Sequence, residues 1–220
     1  MGYAFRSLIA LGIWTRPWEG AGAPPLRGVG RFEHVHYDAL IWQDRYPYQP
    51  FDKTDEADGF WASKIILRFT EPQLRAAVEE GHYKDPAAVD YLVKELIQRQ
   101  RKTAYQWFGL VSPLDHITVK DDGTMCFDDL MRVHFDGVGA TRYVARSYDY
   151  GGHALATTSS TSLGPHACLA VKLASDHDAY TIVELAAERD GEELPAVHVH
   201  VARDLTSHEV RVIGIRRGQP

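Results

Sequence analysis

The sequence predicts an α+β fold, with a helical N-terminal half and an antiparallel, β-sandwich-like C-terminal half. Between residues 55 and 108 the apolar residues recur every three or four positions, which is the period of an amphipathic helix. After Pro113 the period changes to two, and short runs of strand-forming residues alternate with turn signals. We therefore expect a mainly helical domain over residues 1–112 and a sandwich-like domain over residues 113–220.

The helical half carries start and stop signals for three helices. These signals are Asp55 or Asp58 for the first helix, Thr70 and Gly81 for the second, and Asp85 and Gly109 for the third. We expect the first helix to bury an apolar face that includes Phe60 and Trp61. On the third helix, a basic run is expected to form a solvated outer face rather than a phosphate site: Lys94, Arg99, Arg101 and Lys102.

Residues 20–51 fit neither period. They are rich in glycine, proline and aromatic residues, and we expect them to wrap over the helices as irregular structure. A compact domain seldom carries so long a structureless segment unless the segment has a role or packs with a partner. The length of this segment therefore suggests that the chain is incomplete without a partner.

The C-terminal half predicts seven strands separated by turn signals. They cover residues 117–119, 124–133, 142–150, 167–173, 180–188, 196–202 and 209–215. Ala154–Ser162 is too polar for a core, so we expect an exposed connection or a poor edge strand. Cys126 and Cys168 form no CxxC pattern, which excludes a cysteine zinc site but leaves one disulfide open.

Composition and charge exclude several classes of protein. The chain has 220 residues, 45% hydrophobic and 25% charged, with a formal net charge of −6. The negative net charge argues against a protein that binds nucleic acid, because proteins that bind phosphates usually carry a basic face. Every apolar stretch is shorter than the roughly 18 residues of a membrane span, so we expect a soluble protein. The apolar run at residues 8–14 is short for a signal peptide, and Arg16 and Glu19 follow it.

One candidate site is a metal centre in the irregular segment. His34, His36 and Asp38 form an HxHxD string, with which metal-dependent hydrolases place two imidazoles and a carboxylate around zinc. Those enzymes have a further histidine after the aspartate, where this chain has Ala39. A divalent metal is therefore an alternative, and no other cofactor is predicted.

A second histidine pair, His198 and His200, lies on a predicted strand. Alternation places both imidazoles on one face and the valines on the other. The pair would add metal ligands if the fold brought it near the first cluster. The other interpretation is the solvent-facing half of an amphipathic strand.

Several strings of the sequence are distinctive together. They are LGIWTRPWE at residues 11–19, GRFE at 30–33, DGFWASKI at 58–65, YKDP at 83–86, LIQRQRK at 96–102 and VIGI at 212–215. They resemble the C-terminal part of a group of uncharacterised bacterial proteins, over most of residues 8–120 and more loosely over the strand half. The longer members carry an upstream region that looks like an atypical kinase, and many are exported. The resemblance implies a C-terminal piece or a stand-alone relative, with any phosphotransfer residues outside it, and it assigns no catalytic residue.

These observations favour a non-catalytic accessory or interaction module whose partner is a protein or an absent upstream domain. That function predicts an exposed apolar patch of several hundred Å² on the helical half. A metal-dependent enzyme is one alternative. A carbohydrate-binding module is another, because all five tryptophans lie in the first half: Trp14, Trp18, Trp42, Trp61 and Trp107.

Overall fold

The chain combines helices with antiparallel sheets, and its C-terminal half is rich in sheet, which confirms the predicted α+β class. The structure is a computed structural model that describes residues 26, 28–41, 49–175, 179–204 and 206–217. It divides into two compact units, Met1–Asp52 with Ala62–Gln106, and Lys53–Trp61 with Trp107–Pro220. Across the described residues, no helix has the length and apolar character needed to cross a membrane.

The described residues form five helices. They are α1 (Gln49–Asp52), α2 (Glu56–Ile66), α3 (Glu71–Glu79), α4 (Pro86–Leu110) and α5 (Leu130–His134). The three predicted helices are α2, α3 and α4, and each begins within one residue of a predicted start signal. The prediction for Trp61 is wrong, because this side chain is 64% exposed. The buried positions of α2 are Gly59, Phe60 and Ser63, and Trp61 points away from the face that Phe60 and Ser63 share.

Nine strands are described in two antiparallel sheets. They are β1 (Leu114–Val119), β2 (Thr124–Asp129), β3 (Thr141–Tyr148), β4 (Ala154–Ser162), β5 (His166–Ala170), β6 (Tyr180–Arg189), β7 (Glu192–Glu193), β8 (Val197–Arg203) and β9 (Val210–Arg216). The smaller sheet has the order β1-β2-β5. The larger has the order β4-β3-β6-β8-β9, with β7 paired to β6.

One predicted strand ends earlier than expected. The strand expected over residues 124–133 ends at Asp129, whose carboxylate accepts a hydrogen bond from the backbone N of Met131 at 3.1 Å and so caps α5. Ala154–Ser162, expected as an exposed connection or a poor edge strand, is an edge strand of nine residues that pairs with β3.

The two sheets share one apolar core within the second unit. Alternate residues of most strands point into it, among them Met125, Phe127 and Leu169 from the smaller sheet and Tyr143, Leu185 and Val199 from the larger. This shared core is the sandwich-like arrangement that the sequence predicts. The outward-facing residues of both sheets are mostly polar.

Candidate functional site

The described part of the irregular segment includes a strap, residues 33–39, that lies along one face of α4. The hydrogen bonds that hold it include those of His34 Nδ1 with Glu95 Oε2 at 2.8 Å, the Tyr37 hydroxyl with Thr103 Oγ1 at 2.9 Å, and Ala39 N, which donates to Gln106 Oε1 at 2.9 Å. Glu95, Thr103 and Gln106 lie on one face of α4, because the first two are two helical turns apart and the last two are three residues apart. Residues 20–25, 27 and 42–48 of the predicted irregular segment lie outside the described residues.

The predicted metal ligands of the strap have partners on α4. His34 meets Glu95, and Asp38 accepts a hydrogen bond from Gln106 Nε2 at 2.9 Å, while the side chain of His36 is exposed. Within the described ranges, no group of three histidine, cysteine, aspartate or glutamate side chains could hold a metal ion. The metal centre at His34, His36 and Asp38 stays a prediction.

His198 and His200 lie on the outer face of the larger sheet, half-buried, while the valines of β8 point into the core. His200 Nδ1 is 2.5 Å from the hydroxyl of Tyr180, and His198 stands opposite Glu184 of β6. This position agrees with the solvent-side face of an amphipathic strand. The role of His198 and His200 as metal ligands stays a prediction.

Arg99 of α4 contradicts the predicted solvated basic face. Its guanidinium carbon lies 4.2 Å from the centroid of the Phe32 ring and 4.3 Å from that of the Tyr37 ring. Burial lowers the pKa of Arg99, although Tyr37, Glu95 and Glu33 act in the opposite direction. Its Nε is buried and has no hydrogen-bond partner in the part of the chain that the structure describes. The prediction fails here because the aromatic residues of the preceding segment cover this position.

The other members of the basic run differ from Arg99. Lys94 and Arg101 are exposed, as predicted. Lys102 is half-buried, and its Nζ donates to the backbone carbonyls of His34 and Val35, each at 3.4 Å. The run therefore combines two exposed cations, Lys94 and Arg101, with Lys102, which binds the strap, and with the half-buried Arg99.

Two cavities lie in the first unit, the first of them beside Arg99, and together we call them the α3–α4 cleft. The first, about 250 Å³, is lined by Arg99, Gln100, Thr103 and Tyr37 and by the apolar Phe32, Ile66, Phe69, Leu74 and Leu96. The second, about 400 Å³, shares Phe32 and Leu96 with the first and includes Ala77, Val78, Tyr83, Leu92 and the exposed Arg31. The cleft is thus a mostly apolar space with two cations in its wall, the half-buried Arg99 in the first cavity and the exposed Arg31 in the second.

Helix α3 forms one wall of the cleft and has no buried residue. Its apolar side chains Leu74, Ala77 and Val78 line the cavities, and Val78 also packs against a small core that includes Ala88 and Leu92 of α4. At the mouth of the cleft, Phe69 is 51% exposed and Tyr83 is 38% exposed. An apolar helix face over unfilled space loses dispersion contacts, which an apolar ligand would restore.

A second polar cluster lies on the outer face of the smaller sheet. The two carboxylate oxygens of Asp128 each form a hydrogen bond with one imidazole. One oxygen is bonded to His116 Nδ1 at 2.8 Å, and the other is bonded to His166 Nδ1. Burial acts to raise the pKa of Asp128, but the two imidazole hydrogen bonds outweigh burial and lower it. Beside this cluster, Cys126 and Cys168 form a disulfide.

The sequence interpretation missed Arg99 and this second cluster. One signal was available, because Cys126 and Asp128, like His166 and Cys168, are two residues apart and therefore share a strand face. What the sequence could not supply is the pairing of β2 with β5, which brings the two strands together.

The tryptophans of the carbohydrate-binding alternative are only partly described. Trp61 is exposed and Trp107 is half-buried. Trp14, Trp18 and Trp42 lie outside the described residues. A coplanar tryptophan surface stays a prediction.

Comparison with known proteins adds no family to this geometry. The sequence matches no model of a protein family, and a search of curated proteins found no significant match. The function is therefore argued from the residues described above.

Proposed function

We propose that this chain is a non-catalytic accessory module that binds a protein partner in the α3–α4 cleft. The observation that carries the proposal is Arg99, a half-buried cation in an apolar wall whose Nε meets no acceptor within the described residues. A buried charge is costly unless an opposite charge or hydrogen bonds compensate it. An aspartate or glutamate of the partner would supply that compensation.

The walls of the cleft favour a peptide segment as the occupant. Leu74, Leu92 and Leu96 offer apolar surface, and Phe69 and Tyr83 stand partly exposed at the mouth. Apolar cores with aromatic residues are typical of the energetically dominant part of protein interfaces. The segment that fits combines a carboxylate with bulky apolar neighbours.

The source of the segment is proposed from the sequence. The resemblance to longer bacterial proteins implies an upstream region, and that region is a candidate partner. The Cys126–Cys168 disulfide supports the export expected for many of those proteins, because disulfides persist mainly in oxidising compartments.

A peptide selection tests this function. Random peptides displayed on phage are selected against the whole chain, and we expect enriched sequences to pair Asp or Glu with large apolar residues. Arg99→Gln should weaken their binding at least about thirtyfold, because removing one partner of a buried charge pair typically costs 2 kcal/mol or more. Isothermal titration calorimetry with the selected peptides measures the change.

The matched control is Lys94→Gln, which removes an exposed cation from the same helix and should leave affinity unchanged. Selected peptides without an acidic residue, or equal binding to Arg99→Gln, would contradict the proposal. A small organic carboxylate released from the purified protein on denaturation would replace the protein partner with a metabolite.

A further inference from the structure

A disulfide joins two directly opposite residues on the outer face of the smaller sheet. Cys126 of β2 and Cys168 of β5 are register partners, with Cα atoms 4.1 Å apart. Cys126 is half-buried and Cys168 is exposed, and β5 is an edge strand of this sheet. Their sequence neighbours point into the core, so the disulfide lies outside it. A dissolved thiol can therefore reach the sulfur of Cys168.

A row of ionisable side chains lies two residues away on the same face. Asp128 stands in the middle, between the imidazoles of His116 and His166, whose side chains are 62% and 74% exposed. Residues two apart on a strand are separated by about 7 Å, which lies within reach of an imidazole side chain. The row therefore borders the disulfide along β2 and β5.

The carboxylate determines how the two imidazoles are presented. Each Nδ1 meets an oxygen of Asp128, so each ring keeps its Nε2 for a second partner. For His116 the nearest charged group on that side is Asp115, whose carboxylate oxygen is 3.7 Å from Nε2. Two exposed imidazoles in fixed orientation can give and take protons beside the disulfide.

We propose that Cys126–Cys168 is a thiol–disulfide exchange site, and that His116 and His166 exchange protons with the reacting thiols. The proposal is independent of the cleft function, because all the residues it needs belong to the second unit. The substrate class is a thiol, whether small or on another protein. Exposed disulfides are the ones that usually take part in such exchange.

The chemical steps balance with two thiols as the reductant. An external thiol gives its proton to an imidazole and attacks the sulfur of Cys168 as a thiolate; the sulfur–sulfur bond breaks, and Cys126 leaves as a thiolate that takes this proton from the imidazolium. A second thiolate then attacks the external sulfur of the mixed disulfide, which releases Cys168 as a thiolate to be protonated. Two external thiols are oxidised to one disulfide, and the two cysteines are reduced.

The first experiment uses the whole chain and reduced glutathione at neutral pH. Samples are quenched with acid, alkylated and weighed by mass spectrometry, while circular dichroism follows the fold. We expect both cysteines to become alkylated without loss of the native spectrum. A disulfide that stays oxidised until denaturant is added would overturn the proposal.

A trapping variant provides a second measurement. In Cys126→Ser, the remaining Cys168 thiol should take up one glutathione from oxidised glutathione, seen as one adduct per chain. If this variant misfolds, Cys126→Ala is used in the same assay. A folded variant that forms no adduct would contradict access to Cys168.

The role of the imidazoles is tested by rate. The double variant His116→Gln/His166→Gln should slow reduction by glutathione about tenfold. This change in rate is smaller than that expected for a general acid in a closed site, because both rings are exposed. The control is His153→Gln, an exposed histidine of the same unit that pairs with Asp149. Equal rates in all three proteins would remove the imidazoles from the mechanism.

Discussion

Asp129 connects three elements of the sandwich through one buried carboxylate. It accepts hydrogen bonds from the hydroxyl of Tyr143 at 2.8 Å and from the backbone N of Met131 at 3.1 Å, and it is paired with the guanidinium of Arg189. The side chain is fully buried. An ionised carboxylate is tolerated at such a position only because it is both paired and hydrogen-bonded.

Replacing this carboxylate should be costly. We expect Asp129→Ala to lower the free energy of unfolding by about 3–5 kcal/mol, since it leaves the charge of Arg189 without its buried partner. Tyr143→Phe, which removes one neutral donor, should cost only about 0.5–1.5 kcal/mol. Urea unfolding of the three proteins measures both values, and similar losses in the two variants would contradict this account.

The phenol of Tyr143 should lose its proton only at unusually high pH. Burial, followed by the charge of Asp129 and their hydrogen bond, raises the pKa of its phenol to about 12. A raised pKa means that the folded state favours the neutral phenol. The resulting stability is fully present below the ordinary tyrosine pKa near 10 and is lost as pH rises through 12.

Near-ultraviolet absorbance of tyrosinate tests this expectation. Tyr143→Phe should remove the part of the tyrosinate signal that appears near pH 12. Loss of amplitude near pH 10 in the Tyr143 variant would show that the phenol is not held neutral.

The sequence gives only part of the information at this scale. Met125, Phe127 and Asp129 alternate along β2, so an inward-facing acid could be predicted from the pattern. Its partner Arg189 is 60 residues away and could not be. Arg99 was misplaced for the same reason, because its environment comes from Phe32 and Tyr37, far from it in the sequence.

Among the elements, the β1–β2 turn depends on one glycine. Gly123 has φ +82°, and a Cβ built there would lie 2.5 Å from the carbonyl oxygen of Val171. Gly123→Ala should therefore destabilise the protein by more than about 1 kcal/mol. Gly109→Ala is the opposite case, since it adds a methyl group in open space near the end of α4 and should stabilise by about 0.5–1 kcal/mol.

Thermal and urea unfolding of the two glycine variants measure this contrast. Opposite signs are expected, because the same chemical change meets a strained backbone in one place and a helix in the other. A stabilising Gly123→Ala would mean that the turn adopts another conformation.

Element boundaries were predictable where a side chain marks them. Thr70 and Asp85 predicted the starts of α3 and α4, and the turn before Thr124 predicted the start of β2. The end of β2 was not predictable, because residues 130–133 read equally well as strand until Asp129 caps them as a helix. For β4, polarity left a connection and an edge strand as alternatives, and the pairing with β3 decides for the edge strand.

At the scale of the molecule, the fold class followed from the change of apolar period after Pro113. The division into units did not, because residues 53–61 group with the C-terminal sheets although they lie in the helical half of the sequence. Such grouping depends on contacts between distant segments. No local pattern encodes it.

Reduction of the disulfide should leave the sandwich folded. Its core lies on the opposite face of the smaller sheet, and a disulfide that exchanges readily in the folded state stabilises that state less. We expect a loss below the 2–4 kcal/mol typical of native disulfides, measured by urea unfolding with and without reductant. The double variant Cys126→Ser/Cys168→Ser should not respond to reductant, and unfolding of the native chain on reduction would contradict the expectation.

The pairing of β2 with β5 also determines the order in which the sandwich can be assembled during synthesis. The β3–β4 hairpin lies between the two cysteines, which are 42 residues apart. Local hairpins close quickly, whereas contacts across long loops pay more chain entropy and form more slowly. We therefore expect oxidation of the cysteines to follow formation of the hairpin that the disulfide encloses.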